Sequence, residues 1–282
     1  MTPKQRARAA ILAQAWATRL FIWVFLVITL FPAVWVAAVS FRAGDAFYSD
    51  EIWPRVLTWK NYVLLLTKTN FPLWVYNTVK IAAILSVIQF FQTSTAAYAF
   101  SRMRFRGRVA GLMGLIIFQM FPATMVLASN YILLGRLHLL NTHAGYILIS
   151  SGAGAYAIWL LKGYIDNIPV ELDEAAAVDG ATRWQIFTRI ILPLSRPFVA
   201  VQVLFTVLGM FSEYMNASIF LKNAKLYTVA VGMQTFVGGD FQANKWPQFA
   251  AGAVLTSVPL VALWMFLQKH LIAGLTRGAV KG

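Results

Sequence analysis

Between Asn167 and Pro197 the chain gathers Glu171, Asp173, Glu174 and Asp179 into one short polar stretch. It reads Glu174-Ala175-Ala176-Ala177-Val178-Asp179-Gly180 and closes with Ile190-Ile191-Leu192-Pro193. The chemistry such a stretch offers is docking. Elsewhere the polar candidates are scattered through apolar sequence: Asn77, Lys80, Gln89 and Gln92, then Gln119, then Glu213-Tyr214-Met215-Asn216. There is no G-x-x-x-x-G-K-[ST] phosphate loop, no nucleophile elbow and no H-E-x-x-H pair, so no catalytic residue is assigned. The chain lacks cysteine, and His138, His143 and His270 have no metal-ligand spacing, so no metal site is expected.

Two short helices must carry the docking stretch. Asn167 is suited to N-cap the first, with Pro169 in its first turn, where a missing N–H costs nothing. Glu171, Asp173 and Glu174 complement the positive end of its dipole, three alanines favour propagation, and Gly180 supplies a left-handed stop. Thr182 and Gln185 are spaced as a capping box for the second helix, in which Ile186, Phe187, Ile190 and Ile191 recur at helical spacing before Leu192-Pro193 and Pro197. A helix–Gly–helix hairpin with one apolar face is too short to bury that face alone. A protein partner would cover it, or it would lie on the lipid surface.

The rest of the chain is membrane sequence. Hydrophobic residues make up 59% and charged residues 12%, with a mean hydropathy of +0.65; soluble domains average about 45–50% and about 25%. Six spans of all-α architecture are expected: 20–40, 73–100, 111–134, 145–161, 198–220 and 249–271. Pro32 is expected to kink the first and Phe121-Pro122 to break the third. The first apolar run exceeds a signal-peptide core of about 7–15 residues and reads as an uncleaved span. Residues 1–19 then form the N-terminal segment, 20–271 the six-span membrane domain with the 167–197 loop, and 272–282 the tail.

The net charge of +14 suits nucleic acid poorly, because the basic residues sit at span ends rather than along one soluble face. The N-terminal segment, Arg102 to Arg108, the hairpin region and the tail together hold more Lys and Arg than the opposite side. That bias places both termini and the hairpin in the cytoplasm. Phe41 to Phe71 and Leu221 to Pro247 become external loops. Lys80, near the outer end of the second span, reads as a snorkelling side chain. Aromatic content is 15%, but interfacial belts consume Trp and Tyr in any membrane protein, so no ring is singled out for stacking on a sugar.

The spacing Glu174-Ala175-Ala176, three residues, Gly180, nine residues, Ile190, one residue, Leu192-Pro193 resembles the EAA loop of importer-type ABC permeases. Ala96-Ala97-Tyr98-Ala99-Phe100-Ser101-Arg102, Leu139-Leu140-Asn141-Thr142, Ile168 to Glu174 and the tail Gly274 to Gly282 extend the resemblance to the carbohydrate-importer branch. It implies that Glu174, Ala175, Ala176, Ala177, Asp179, Gly180, Ile190, Leu192 and Pro193 couple to an ATP-binding subunit. It also implies tail contacts through Thr276, Gly278 and Lys281, and a loop at Gly238, Gly239 and Asp240 that meets an extracytoplasmic sugar-binding protein. Arg277 departs from the small residue frequent there. A second permease subunit and two ATP-binding subunits would complete the complex, in the cytoplasmic membrane of a bacterium or archaeon. ATP and Mg²⁺ would sit on those partners and no cofactor on this chain. Asn77, Gln119, Glu213 and Asn216 are the pathway candidates.

The resemblance implies uptake of a malto-oligosaccharide or a related disaccharide such as trehalose. The competing readings are a gradient-driven sugar carrier and a membrane scaffold that moves nothing. A gradient-driven carrier needs titratable groups near the middle of spans; the one serious candidate, Glu213, lies toward the outer end of its span, where structural pairing or a gate contact accounts for it at least as well.

Overall fold

The computed structural model describes residues 3–44, 53–152, 154–238 and 245–279, with side-chain surroundings for residues 11–122 and 124–268 of these. Among them no strand forms; the extended pairing is a lone antiparallel bridge between Arg42 and Leu57. The chain divides into two compact units, Met1–Thr69 with Gln234–Leu255, and Asn70–Met233 with Thr256–Gly282.

The first unit begins with α1 (Pro3–Ser40), which is helical across Pro32, and α2 (Lys60–Lys68). Along α1 the apolar side chains from Ile11 to Val34 are exposed all round, as expected of a helix whose solvent is lipid. At its end Asn61 donates to the carbonyls of Ser40 and Arg42, and Tyr62 shares a 2.7 Å hydrogen bond with Ser40. Phe41, Trp59 and Tyr62 stack into an aromatic cluster there, which ties α2 to the end of the span.

The second unit is organised along α3 (Phe71–Arg102). At 1.5 Å per residue this helix is about 48 Å long, enough to cross the hydrocarbon and emerge from it. Its first half contributes Ile81, Ala82 and Leu85 to a core cluster with Leu134, Tyr146, Met210, Phe220 and Val231. Its last turns contribute Ala97 and Tyr98 to another, with Ile158, Leu161, Ile165, Ile168, Ile186, Phe187 and Ile191. One continuous helix therefore bridges both clusters. Between them, Thr206 donates to Gln89 and Gln202 donates to the fully buried Thr93, which satisfies polar groups that lipid would leave unpaired.

The remaining elements are α4 (Arg108–Met120), α5 (Leu127–Arg136), α6 (His143–Ser151), α7 (Ala155–Asp166), α8 (Glu171–Val178), α9 (Arg183–Ile186), α10 (Leu192–Leu194), α11 (Arg196–Ser212), α12 (Met215–Phe220), α13 (Val229–Gln234) and α14 (Trp246–Ala279). Among the described residues three helices are long and apolar enough to span a membrane alone, and up to six spans result if each bent pair counts as one. A break falls at Phe121-Pro122 as expected, followed by a 3₁₀ turn at Ala123–Val126.

Several expectations need correction. The fourth span is interrupted between Ser151 and Ala155, and the fifth ends at Ser212 and restarts at Met215. The helix at the chain's end runs to Ala279, past the expected start of the polar tail. Asn167 does not N-cap α8: it lies in helical geometry at the end of α7 and its side chain donates back to the Gly163 carbonyl. Helix α8 instead begins without a side-chain cap, after Val170.

Candidate functional site: the helical hairpin and the clamped loop

Helix α8 ends in a complete Schellman motif. Gly180 adopts φ +83°, its N–H bonds the Ala177 carbonyl at 3.1 Å, and the Ala181 N–H reaches back to the Ala176 carbonyl at 2.9 Å. Two residues past Gly180, Thr182 opens the expected capping box with Gln185, each side chain accepting from the other's backbone N–H. Two stops set back to back fix the angle of the hairpin.

Its second arm is not a separate short helix. Helix α9 widens into a π-turn over Phe187–Ile191, continues as α10, and bends by 72° at Ser195 into α11. Pro193 offers a physical reason: it has no N–H for the Arg189 carbonyl and its ring crowds that oxygen, so a widened turn before it relieves the clash. The motif's Ile190, Leu192 and Pro193 are half-buried within this arm, where Ile190 and Leu192 pack against the inner cluster.

The other motif residues divide by face. Ala176 packs inward against the same cluster, where a larger side chain would not fit the helix so close. Glu174, Ala175, Ala177, Asp179 and Gly180 point outward and are exposed. Around them Leu172, Val178 and Trp184 expose apolar surface, Val178 by 88%. An exposed face this apolar, rimmed by carboxylates, is the kind of surface that a protein partner could cover.

The inward face is fastened to α3 and α7 by polar contacts that the sequence reading did not single out. The Arg102 guanidinium lies 2.9 Å from the Asp173 carboxylate and donates to the Ile168 carbonyl at 2.6 Å. Ser101 donates to Asp166, Tyr98 to the Arg183 carbonyl and Tyr164 to the Leu194 carbonyl. Tyr98 and Phe187 rings pack 5.0 Å apart. The first arginine of the run that marks topology thus also clamps the hairpin; its placement one residue past Ser101 at the close of the Ala96 to Arg102 stretch is the available sequence signal.

At the far end of α3 a second constellation holds the segment 221–229. Asn77, 2% exposed, donates to the carbonyls of Lys225 and Tyr227. Trp74 donates to the Ala224 carbonyl, and Thr78 accepts the Val229 N–H. Asn141, in left-handed geometry at φ 57°, accepts from the N–H groups of Lys222 and Asn223, while its own N–H bonds the Phe220 carbonyl. Lys80 does not snorkel freely: its ammonium contacts His143 Nδ1 at 2.8 Å, and His143 Nε2 bonds the Leu226 carbonyl. Gly232 seats against the Trp74 indole so closely that a Cβ there would lie 2.1 Å from a ring carbon.

The four pathway candidates are dispersed. Asn77 belongs to the clamp just described. Glu213 sits in the break between α11 and α12, accepting from Tyr146, from the backbone N–H groups of Asn216 and Ala217, and from the Asn216 side chain. It therefore caps α12. Gln119 is exposed on α4 and accepts the Tyr156 N–H at 2.6 Å. Of the expected binding-protein loop, Gly238 donates to the Gln234 carbonyl, while Gly239 and Asp240 lie outside the described residues. Thr276 and Gly278 fall on the helical backbone of α14, and Lys281 lies outside the described residues.

Residues 93–277 match the sequence family described as "Binding-protein-dependent transport system inner membrane component". The maltose/maltodextrin transport system permease protein MalG of Photorhabdus laumondii is 39% identical, over 96% of this chain and 98% of its own. MalG of Escherichia coli K12 is 38% identical over 96% and 97%. Among solved structures, a bacterial ABC transporter involved in the import of the acidic polysaccharide alginate shares the fold, with a TM-score of 0.78 at 22% identity over 95% of this chain and 98% of that one. A second alginate transporter structure, in complex with an alginate pentasaccharide-bound periplasmic protein, has a TM-score of 0.67 over 93% of this chain.

Proposed function

Because the chain belongs to the family of inner membrane components of binding-protein-dependent transport systems, we propose how it works as a permease subunit of an ATP-driven sugar importer. It forms half of a translocation pathway with a second, related permease subunit. Two ATP-binding subunits dock on the hairpin, bind ATP and Mg²⁺, and hydrolyse ATP; this chain supplies no ATPase site. An extracytoplasmic sugar-binding protein delivers the sugar from the other side, so the hairpin and both termini face the cytoplasm. The identity to MalG proteins over nearly the whole chain supports a malto-oligosaccharide as cargo, with trehalose as the nearest alternative.

The observation that carries the mechanism is the fastening of the hairpin to α3. When the ATP-binding subunits close, they push on Glu174, Ala175, Ala177 and Asp179, all outward-facing. Arg102–Asp173, Ser101–Asp166 and the packed inner cluster pass that displacement to α3 and α7 without slack, because close-packed interiors have few voids to absorb it. The bend at Ser195 passes it to α11. The spans then tilt between inward-open and outward-open states. The tail, Thr276, Gly278 and Lys281, adds a contact to the ATPase side, and Gly238, Gly239 and Asp240 meet the sugar-binding protein.

The test is uptake of labelled maltose and trehalose into liposomes that hold the co-expressed complex, with wild type set against Glu174→Ala. Uptake that requires ATP and falls at least tenfold in the variant is the expected outcome. Uptake without ATP that ignores Glu174 would instead identify a gradient-driven carrier.

A further inference from the structure

The turn between α3 and α4 carries four arginines in seven residues, Arg102 to Arg108, and the fold uses them in two ways. Arg102 reaches inward to Asp173 and the Ile168 carbonyl, and Arg108 donates back to the Ser101 carbonyl at 3.1 Å. Arg104 and Arg106 lie between these two and are exposed. Among the described residues neither makes an ion pair, and the carboxylates bonded to this end of α3 are already taken: Asp166 by Lys162 and Ser101, Asp173 by Arg102. Two guanidinium groups are left facing outward with their charge uncompensated.

An apolar surface starts from the same turn. Phe105, between the two free arginines, packs on the Phe100 ring at 5.6 Å yet stays half exposed. Exposure then continues along α4, where Val109, Met113 and Ile117 recur four residues apart and form a stripe. From Arg108 to Ile117 the helix rises about 14 Å, close to one leaflet of a hydrocarbon core about 30 Å thick. Charge sits at one end and an apolar track of leaflet length leads away from it. A soluble anion has a use for the arginines alone, whereas a phospholipid has a use for both parts: phosphate at the guanidinium forks and an acyl chain along the stripe.

We propose that Arg104, Arg106 and the stripe from Phe105 to Ile117 bind an anionic phospholipid, its headgroup at the arginines and an acyl chain along α4. The same turn carries Arg102, so the lipid anchors the base from which the hairpin is clamped. The importer reading contributes only the leaflet, which is the cytoplasmic one.

The measurement is titration of the purified whole complex in detergent with acyl-labelled phosphatidylglycerol, or with phosphatidylcholine of the same chains, read by fluorescence anisotropy as the tightest binding step. Wild type prefers phosphatidylglycerol. Arg104→Gln with Arg106→Gln weakens that binding about thirtyfold, since each arginine near an anionic headgroup is worth about fivefold, and leaves phosphatidylcholine as it was. Added salt weakens phosphatidylglycerol binding in wild type and not in the double variant. Met113→Ser, which keeps every charge, weakens both lipids, whereas Arg136→Gln, an exposed arginine at the end of α5, changes neither. Equal affinity for the two lipids in wild type, or unchanged phosphatidylglycerol affinity in the double variant, would overturn the proposal. Inorganic phosphate competing at the lipid's own concentration would show a free-anion site and overturn it as well. So would loss of the second permease or an ATP-binding subunit from the purified double variant, which would assign the arginines to assembly. Lipid binding is read without transport, so each result holds whether or not the complex imports sugar.

Discussion

Gly180 and Asn141 are the two residues whose backbone geometry decides most. Both lie in left-handed space, at φ +83° and 57°, yet they are there for different reasons. Gly180 terminates α8, and nothing lies within 4 Å of where its Cβ would be, so strain alone opposes a side chain. Gly180→Val should retain the complex but lose most sugar-stimulated ATPase activity, because the two arms can no longer hold their angle; full activity would refute the rigid-hairpin account. Asn141 tolerates the left-handed region and also uses its carbonyl oxygen to hold two backbone N–H groups. Comparing Asn141→Gly, which relieves strain but loses both bonds, with Asn141→Asp, which keeps both acceptor positions, separates the two contributions. Thermal unfolding should show the glycine variant less stable by about 1–3 kcal/mol and the aspartate variant near wild type.

Among the elements, α3 carries the fold. Its C-terminal end is fastened to the hairpin, and its opposite end holds the segment 221–229 through Trp74, Asn77 and Thr78. The seat of α13 on this helix is tight: Gly232→Ala would bring a methyl group to 2.1 Å from the Trp74 ring, so indole or helix must shift. Overpacking of this kind costs about 1–3 kcal/mol. Lower thermal stability and faster proteolysis within 221–238 are the expected signs; an unchanged melting temperature would mean that the contact relaxes freely. The break between α11 and α12 is similarly purposeful in its bonding, since Glu213 satisfies the N–H groups that the break exposes.

For the whole molecule, what matters is whether work done on the hairpin reaches the spans. Arg102 and Asp173, 10% and 16% exposed in their side chains, form the ion pair on that route. Asp173→Ala leaves the Arg102 guanidinium with the Ile168 carbonyl as its hydrogen-bond partner among the described residues and should weaken the hairpin's seat by about 1–3 kcal/mol. ATP-binding subunits should still dock, because Glu174 and the exposed apolar face are untouched. Transport should therefore fall more than hydrolysis, and the number of ATP molecules consumed per sugar should rise. Equal losses of both would place Asp173 in docking rather than in transmission.

Local sequence was enough to determine the elements whose causes are local. Apolar runs of span length, the Thr182–Gln185 capping box, the glycine stop at Gly180 and the break at Pro122 depend on residues within a few positions of one another, and each is present in the fold. The same reasoning misplaced Asn167, because a side chain that can cap the next helix can equally bond back to the helix it ends, and only the packing of Ile165 and Ile168 into the inner cluster selects between them. It likewise expected Lys80 to reach for the interface, whereas His143, 63 residues away, supplies an acceptor. Which polar groups in the spans are spent on structure, which face of the hairpin turns outward, and which residues join α3 to it were decided by tertiary structure. Those contacts link positions distant in the chain, and no spacing rule encodes a partner that arrives only when the helices pack.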